Sequence, residues 1–320
     1  MKKSFFIFII SLFFCTSINS QDLGSKLSKV TGDYAKVYLR SLHDALGANF
    51  NSGFIKDANI PYSKKLPVGI NVSLRLTAMN TFMLDEDRVF SMSYYDTGYV
   101  NGHPVLGKYT VKNAPSAIGN TTEPIAEFTY QGINYPDQNK TLIGGVLNTA
   151  YVPFLIPELS IGSIYGTDAQ IKVFPKITIG DLGGLGLYSF ALRHNISHYF
   201  NEPSLDVAIQ AGYQKFFIDD SYETRILNSN SFFANVQVSK TLKIFTFYGG
   251  AQWEHFNTDI SYTYNNNTGT VVPVNFSMKA INMIRGVLGA SIKYGFFEFG
   301  VDANISQKFT AVSHISFIFK

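Results

Sequence analysis

The side chains able to do chemistry in this sequence are scattered, and their spacing fails each of the common catalytic patterns. Six histidines are present: His43, His103, His194, His198, His255 and His314. A nucleophilic enzyme needs a hydroxyl or thiol held against a base, yet no G-x-S-x-G elbow occurs. His194 and His198 stand four apart, a helical spacing, but they fall at the end of a stretch that reads as a strand. Two oxygen-rich clusters, Asp85-Glu86-Asp87 and Asp219-Asp220 with Glu223, lack the ligand order of a calcium loop. They read as solvated charge. Gly183-Gly184-Leu185-Gly186 lacks the lysine and following hydroxyl of a phosphate loop. The chain therefore reads as no enzyme, with no catalytic residue, metal site or cofactor.

One set of charges does follow a pattern. Arg75, Lys172, Arg193, Arg285, Lys293, Glu298 and Asp302, with Asp168, each fall on the polar side of a segment that alternates apolar and polar residues. In a strand, alternate residues share a face. Val72, Leu74 and Leu76 alternate with Ser73, Arg75 and Thr77; Ala169, Ile171 and Val173 with Asp168, Gln170 and Lys172. Further on, Ile284, Gly286, Leu288, Ala290 and Ile292 alternate with Arg285, Val287, Gly289, Ser291 and Lys293. Phe297, Phe299, Val301 and Ala303 alternate with Glu298, Gly300, Asp302 and Asn304. The last apolar face carries no charge, as lipid contact demands. Phe233 and Val287 break the rule by standing on the polar side, where they are expected to pack on the N-terminal helix.

Several alternating runs exceed the five or six residues usual in globular sheets, and aromatic residues gather near their ends, as girdles do. Strands are expected at 66–78, 88–97, 123–132, 142–152, 158–165, 168–176, 185–197, 204–215, 231–241, 243–256, 258–265, part of 276–294 (as one long strand or two), 296–306 and 309–319. The fold class expected is all-β, a transmembrane antiparallel β-barrel of about fourteen strands (12–16). The 98–122 stretch reads as a long irregular loop.

Composition supports this class. Hydrophobic residues make up 46% and charged residues only 15%, against about a quarter in soluble domains. The formal charge of +3 includes Lys2 and Lys3, and no basic run suggests a nucleic-acid partner. Residues 1–20 have the basic, apolar and small-residue order of a signal peptide. Cleavage after Ser20 would remove Cys15, the only cysteine. From 21 to 53 the period is helical: Leu23, Leu27, Val30, Tyr34, Tyr38 and Leu42 lie along one stripe. This amphipathic helix is the candidate plug of a barrel extending over 54–320.

The chain resembles a family of uncharacterised outer-membrane proteins from Bacteroidota, known as a domain of unknown function. The resemblance rests on Gly47 to Gly53, Pro115-Ser116-Ala117-Ile118-Gly119, Val152 to Gly162, Gly166 to Pro175 and Leu185 to Ser197. More distantly it is similar to the FadL-like long-chain fatty-acid channels. That likeness implies a barrel blocked by an N-terminal hatch, with an apolar ligand leaving sideways through the wall. It matches layout only, so no binding residue is carried across. The resemblance implies the outer membrane of a Gram-negative, Bacteroidota-type cell, with membrane lipid and the barrel assembly machinery as partners. The expected role is passive uptake of a hydrophobic or amphipathic small molecule. The alternative is a structural or secretion-associated barrel that meets a secretion-complex protein.

Overall fold

A long run of period-two residues buries one face and leaves the other apolar and exposed, so its backbone groups need partners from neighbouring strands. Closing the sheet on itself supplies all of them. In the computed structural model, which describes residues 23–60, 68–179, 183–200, 203–220, 222–265, 270–281 and 283–319, the wall is such a closed sheet. The chain forms strands β1 (Val68–Phe82), β2 (Val89–Val100), β3 (His103–Pro115), β4 (Ile125–Tyr130), β5 (Ile133–Asn134), β6 (Lys140–Thr141), β7 (Tyr151–Ile164) and β8 (Thr167–Ile179). It continues with β9 (Gly183–Asn195), β10 (Asp206–Asp219), β11 (Arg225–Leu242), β12 (Phe245–Asn265), β13 (Val271–Lys279), β14 (Ile284–Tyr294), β15 (Phe297–Ile305) and β16 (Thr310–Phe319).

Ten of these close the barrel in the order β1, β7, β8, β9, β10, β11, β12, β14, β15, β16, every pair antiparallel. The seam joins β1 to β16, from Val72 opposite Phe319 to Thr81 opposite Thr310. Ten replaces the expected fourteen for two physical reasons. Strands β2 to β6 pair among themselves as an insertion between Phe82 and Tyr151, which are themselves wall neighbours. The expected strands 243–256 and 258–265 are one continuous strand, β12, whose outer end pairs with β13 above the wall while its lower half pairs with β14.

The expected loop at 98–122 is mostly strand. Asn101 and Gly102 both take positive φ, 50° and 76°, which is the turn that suits a tight hairpin joining β2 to β3. Residues 142–150 are irregular, and the expected strand there begins only at Tyr151.

The N-terminal stripe is helical but not one helix. It breaks into α1 (Leu23–Leu27), α2 (Gly32–Tyr38) and α3 (Arg40–Phe50). Thr31 sits extended and its side chain accepts the amide of Tyr34, capping α2 and ending any continuity with α1. The expected leader, 1–20, lies outside the described residues.

Large apolar side chains face outward all round the wall, among them Leu74, Phe190, Phe232, Phe299 and Val301, each about half exposed. Among the described residues no helix is long and apolar enough to cross a membrane; the strands do so. This is the architecture of outer-membrane barrels, which keep short turns at the periplasmic mouth and longer loops outside. Here one mouth has the two-residue turns Tyr165-Gly166, Lys243-Ile244 and Gly295-Phe296, beside the ten-residue β9–β10 connection 196–205. The opposite mouth carries the insertion 83–150 and the β12–β13 hairpin.

Val236 faces lipid near the middle of β11. Replacing it with Arg should destabilise the folded barrel by about 2–4 kcal/mol, read from the urea refolding equilibrium in lipid vesicles. The same change at Lys240, already charged and near the mouth, should cost little.

Candidate functional site

The interior of the barrel is occupied by the chain's own residues 40–60. At the long-loop end the contact is apolar. Phe50, at the end of α3, meets Phe154 edge-on at 4.7 Å and Phe216 at 4.5 Å between ring centroids. His43 lies against Phe256 at 5.2 Å, and its Nδ1 is 3.2 Å from Asp44 Oδ1. Arg40 completes this turn with a 2.9 Å bond from Nε to Asp44 Oδ2.

Outside the wall, α1 and α2 lie between the rim and the insertion. Tyr34 packs edge-on against Phe90 and Tyr94. Tyr38 donates its hydroxyl to the carbonyl of Gly144 at 2.9 Å, and burial holds its phenol well above the usual range. Tyr262, beyond the wall on β12, donates to the carbonyl of Val30 at 3.0 Å.

Below Phe50 the contacts turn polar. Asn51 Oδ1 accepts from Gln214 Nε2 at 2.8 Å and from Ser231 Oγ at 2.7 Å, while its carbonyl accepts from Gln252 Nε2 at 2.7 Å. Strands β10, β11 and β12 thus meet one residue. Arg285 comes from the other side, donating to the carbonyl of Ala48 at 2.9 Å and to Ser52 Oγ at 2.5 Å. Its guanidinium is held by Glu254, with Nε and Nη2 each 3.1 Å from a carboxylate oxygen. Neither side chain of this pair touches solvent.

The chain then leaves helical geometry through Gly53, whose φ of +72° would strain any other residue, and whose Cβ would meet Thr77 at 2.9 Å. Phe54 stacks on Phe233 at 4.0 Å and lies under the ammonium of Lys172 at 3.3 Å. Ile55 packs with Tyr248 and Val287. Phe233 and Val287 therefore pack on this extended stretch and not on the helix that the sequence suggested.

Lower still, Lys56 Nζ donates to Glu158 Oε1 at 2.7 Å and to Ser160 Oγ at 3.1 Å. The carbonyl of Asp57 accepts from Arg193 Nη1 at 2.6 Å. Asn59 Nδ2 reaches Asp206 Oδ2 at 3.2 Å.

All seven candidate lumen residues face inward on their strands. Arg193 pairs with Asp168 across β8 and β9 at 2.5 Å. Lys172 stands opposite Glu158 and donates to the carbonyl of Ser52 at 3.2 Å. Arg75 contacts His314 Nε2 at 2.9 Å, and His314 lies 3.6 Å from Glu298. Asp302 accepts from Tyr248 at 3.1 Å and from Asn304. Lys293 is half-buried at the short-turn mouth, where it lines a 260 Å³ cavity with Lys56, Asp57, Arg75, Arg193 and Glu298. The helical stripe Leu23, Leu27, Val30, Tyr34, Tyr38 and Leu42 is buried throughout, all but Leu42 at or outside the long-loop end.

The sequence reading missed Glu158, Glu254, Gln214 and Gln252. Period two alone puts Glu158 on the inward register, since it lies between Pro157 and Leu159; the pairing of β1 with β7 then sets it opposite Arg75. Nothing local marks Asn51 and Lys56, because their partners lie on strands more than a hundred residues away. Among the described residues no group of His, Cys, Asp and Glu could hold a metal ion.

The model of a family of unknown function, DUF6588, matches residues 1–319. No curated protein matches the chain. Among solved structures it is similar to the attachment invasion locus protein Ail of Yersinia pestis, at 8% identity and a TM-score of 0.27, over 78% of this chain and 99% of that one. It is similar as well to OmpT, an outer membrane protein of Vibrio cholerae, at 9% identity and a TM-score of 0.26, over 79% and 97%. The translocator domain of autotransporter NalP from Neisseria meningitidis gives 10% identity and a TM-score of 0.27, over 79% and 88%. The barrel assignment rests on the strand pairing itself.

Arg285→Ala strands Glu254 without its cation. The variant should lose about 3–5 kcal/mol of stability in a denaturant titration of the refolded barrel. Lys293→Ala should lose no more than about 1 kcal/mol, as an exposed-side charge does.

Proposed function

We propose, since the chain belongs to the DUF6588 family of unknown function and its activity has to be read from the lumen, that it is a plugged outer-membrane channel for a small amphipathic molecule. Residues 1–20 serve as the leader that exports it, and residues 40–60 are the plug of its resting state. The observation that carries this reading is the division of the lumen into two zones. Phe154, Phe174, Leu187 and Phe216 line the outer half, and Arg75, Lys172, Arg193 and their carboxylates line the inner half.

The segment now inside has the same two-part character. Leu42 to Phe50 presents an apolar helix to the upper zone, and Asn51 to Asn59 presents polar groups to the lower. A molecule with an apolar body and a polar head is the cargo that both linings accept. A purely apolar cargo would strip water from the buried charges below and leave them without solvent partners. A sugar-like solute would meet the aromatic zone above. The chain carries no nucleotide-binding motif, so movement follows the cargo's own gradient.

A second reading is a structural anchor for the surface insertion. It is favoured by the continuous apolar core that runs from Tyr94, Tyr109 and Phe128 of the insertion, through Tyr34 and Tyr38, to Phe50 inside the wall.

Planar-bilayer recording separates the two. The wild-type protein should insert without steady conductance steps. The Asn51→Ala, Ser52→Ala double variant loses the bonds from Gln214, Ser231 and Arg285, and should open intermittently. Vesicles bearing it should pass a fluorescent amphipath faster than a sugar of equal size. A folded double variant that stays sealed to both would remove the channel and leave the anchor.

A further inference from the structure

We infer that the N-terminal segment is threaded through its own barrel, so that α1 stands at the outer face while β1 begins at the periplasmic face. An N-terminal plug that enters and leaves by one mouth would have both its ends there. In this protein the contacts run one way along the lumen. Ser28 accepts at its carbonyl from the amide of Asn265, at the far tip of β12 above the wall. Asn49 Nδ2 donates to the carbonyl of Val152, and its Oδ1 accepts from Thr81, both at the long-loop end of the wall.

The segment then passes Arg285 and Lys172 at mid-wall. Asn59 reaches Asp206, the first residue of β10, at the short-turn mouth. After Ile60 the next described residue, Val68, starts β1 at that same mouth, opposite Ile164. Phe319, the last residue of β16, lies there as well, opposite Val72. Each step from Ser28 to Asn59 is thus nearer the short turns than the one before, and none doubles back.

The consequence is a captive segment. Withdrawal toward the periplasm would drag α1 and α2 through the ring of Asn51 partners. Expulsion outward is opposed by the tether to Val68. Opening therefore takes place with the segment still inside, by sliding or by a side-step against one wall. This inference depends on the closed barrel alone and stands or falls separately from the transport reading.

Cys15 is the only cysteine and lies in the expected leader, so single cysteines report on sidedness. Three full-length variants are labelled on intact cells with a polymer-linked maleimide too large for porins. They are Lys29→Cys between α1 and α2, Tyr222→Cys in the β10–β11 loop, and Ile244→Cys in the β11–β12 turn, all exposed. The read-out is the upward shift of the protein band. Lys29→Cys and Tyr222→Cys should shift on intact cells, and Ile244→Cys only once the outer membrane is opened. Lys36→Cys, exposed on α2, repeats the first position should that variant fail to fold. The inference is overturned if the N-terminal position shifts only together with Ile244→Cys, or if Ile244→Cys shifts on intact cells while Tyr222→Cys does not.

Discussion

A peptide that crosses at membrane depth without helix or sheet bonds must find a partner for each of its polar groups in the wall around it. Residues 51–59 are in that position, and the rest of the lumen is arranged to meet their demand. Gln214, Ser231, Gln252, Arg285, Lys172, Gln237, Ser239 and Arg193 all bond to this stretch. Ten strands suit the task. Barrel width grows with strand number, and a narrow barrel lets amide and guanidinium side chains from opposing strands reach one central chain. A wide lumen would have left these groups to water.

The charges follow from the same constraint. A cation removed from water needs its anion within reach, and a half-satisfied buried network is worse than none. Arg285 and Glu254 are fully enclosed and bonded twice over. Arg285 also meets the carbonyl of Ala48 in the last turn of α3, where unpaired carbonyls make a cation favourable. Glu158 is shared between Lys56 of the segment and Lys172 of the wall. The ion pairs therefore fix the segment's depth as well as its side, since sliding by one residue would separate Lys56 from Glu158 and Arg285 from Ser52.

How far the sequence announces this arrangement depends on the distance over which each signal acts. Period two is local, and the inward and outward residues of β8, β11, β14, β15 and β16 are legible from it, Phe233 and Val287 included. The Asn-Gly pair at Asn101 was equally local and marked the β2–β3 hairpin inside a stretch read as loop. Strand count is not local. It depends on β1 passing over an insertion to pair with β7, and on β12 outlasting the wall to hold β13 as well as β14. No window of residues records which strand a strand will meet. The same holds inside the lumen, where Asn51-Ser52-Gly53 reads as an ordinary turn and is in fact the point at which six strands grip the segment.

The seam shows why the segment and the wall have to be considered as one folding unit. Strands β1 and β16 are farthest apart in the chain among paired wall strands, and their union closes the barrel last in any order that starts from sequence neighbours. Thr81 bonds both to Asn49 of the segment and to Thr310 of β16. Arg75 contacts both the carbonyl of Gly53 and His314 of β16. Both seam strands are therefore joined through groups that already face the segment. A seam that zipped up over an empty lumen would bury Arg75 and Thr81 with half their partners missing, and would then have to admit a polar peptide end-on through a filled aromatic zone. Arg75 and Thr81 thus complete their contacts only where the segment, β1 and β16 meet.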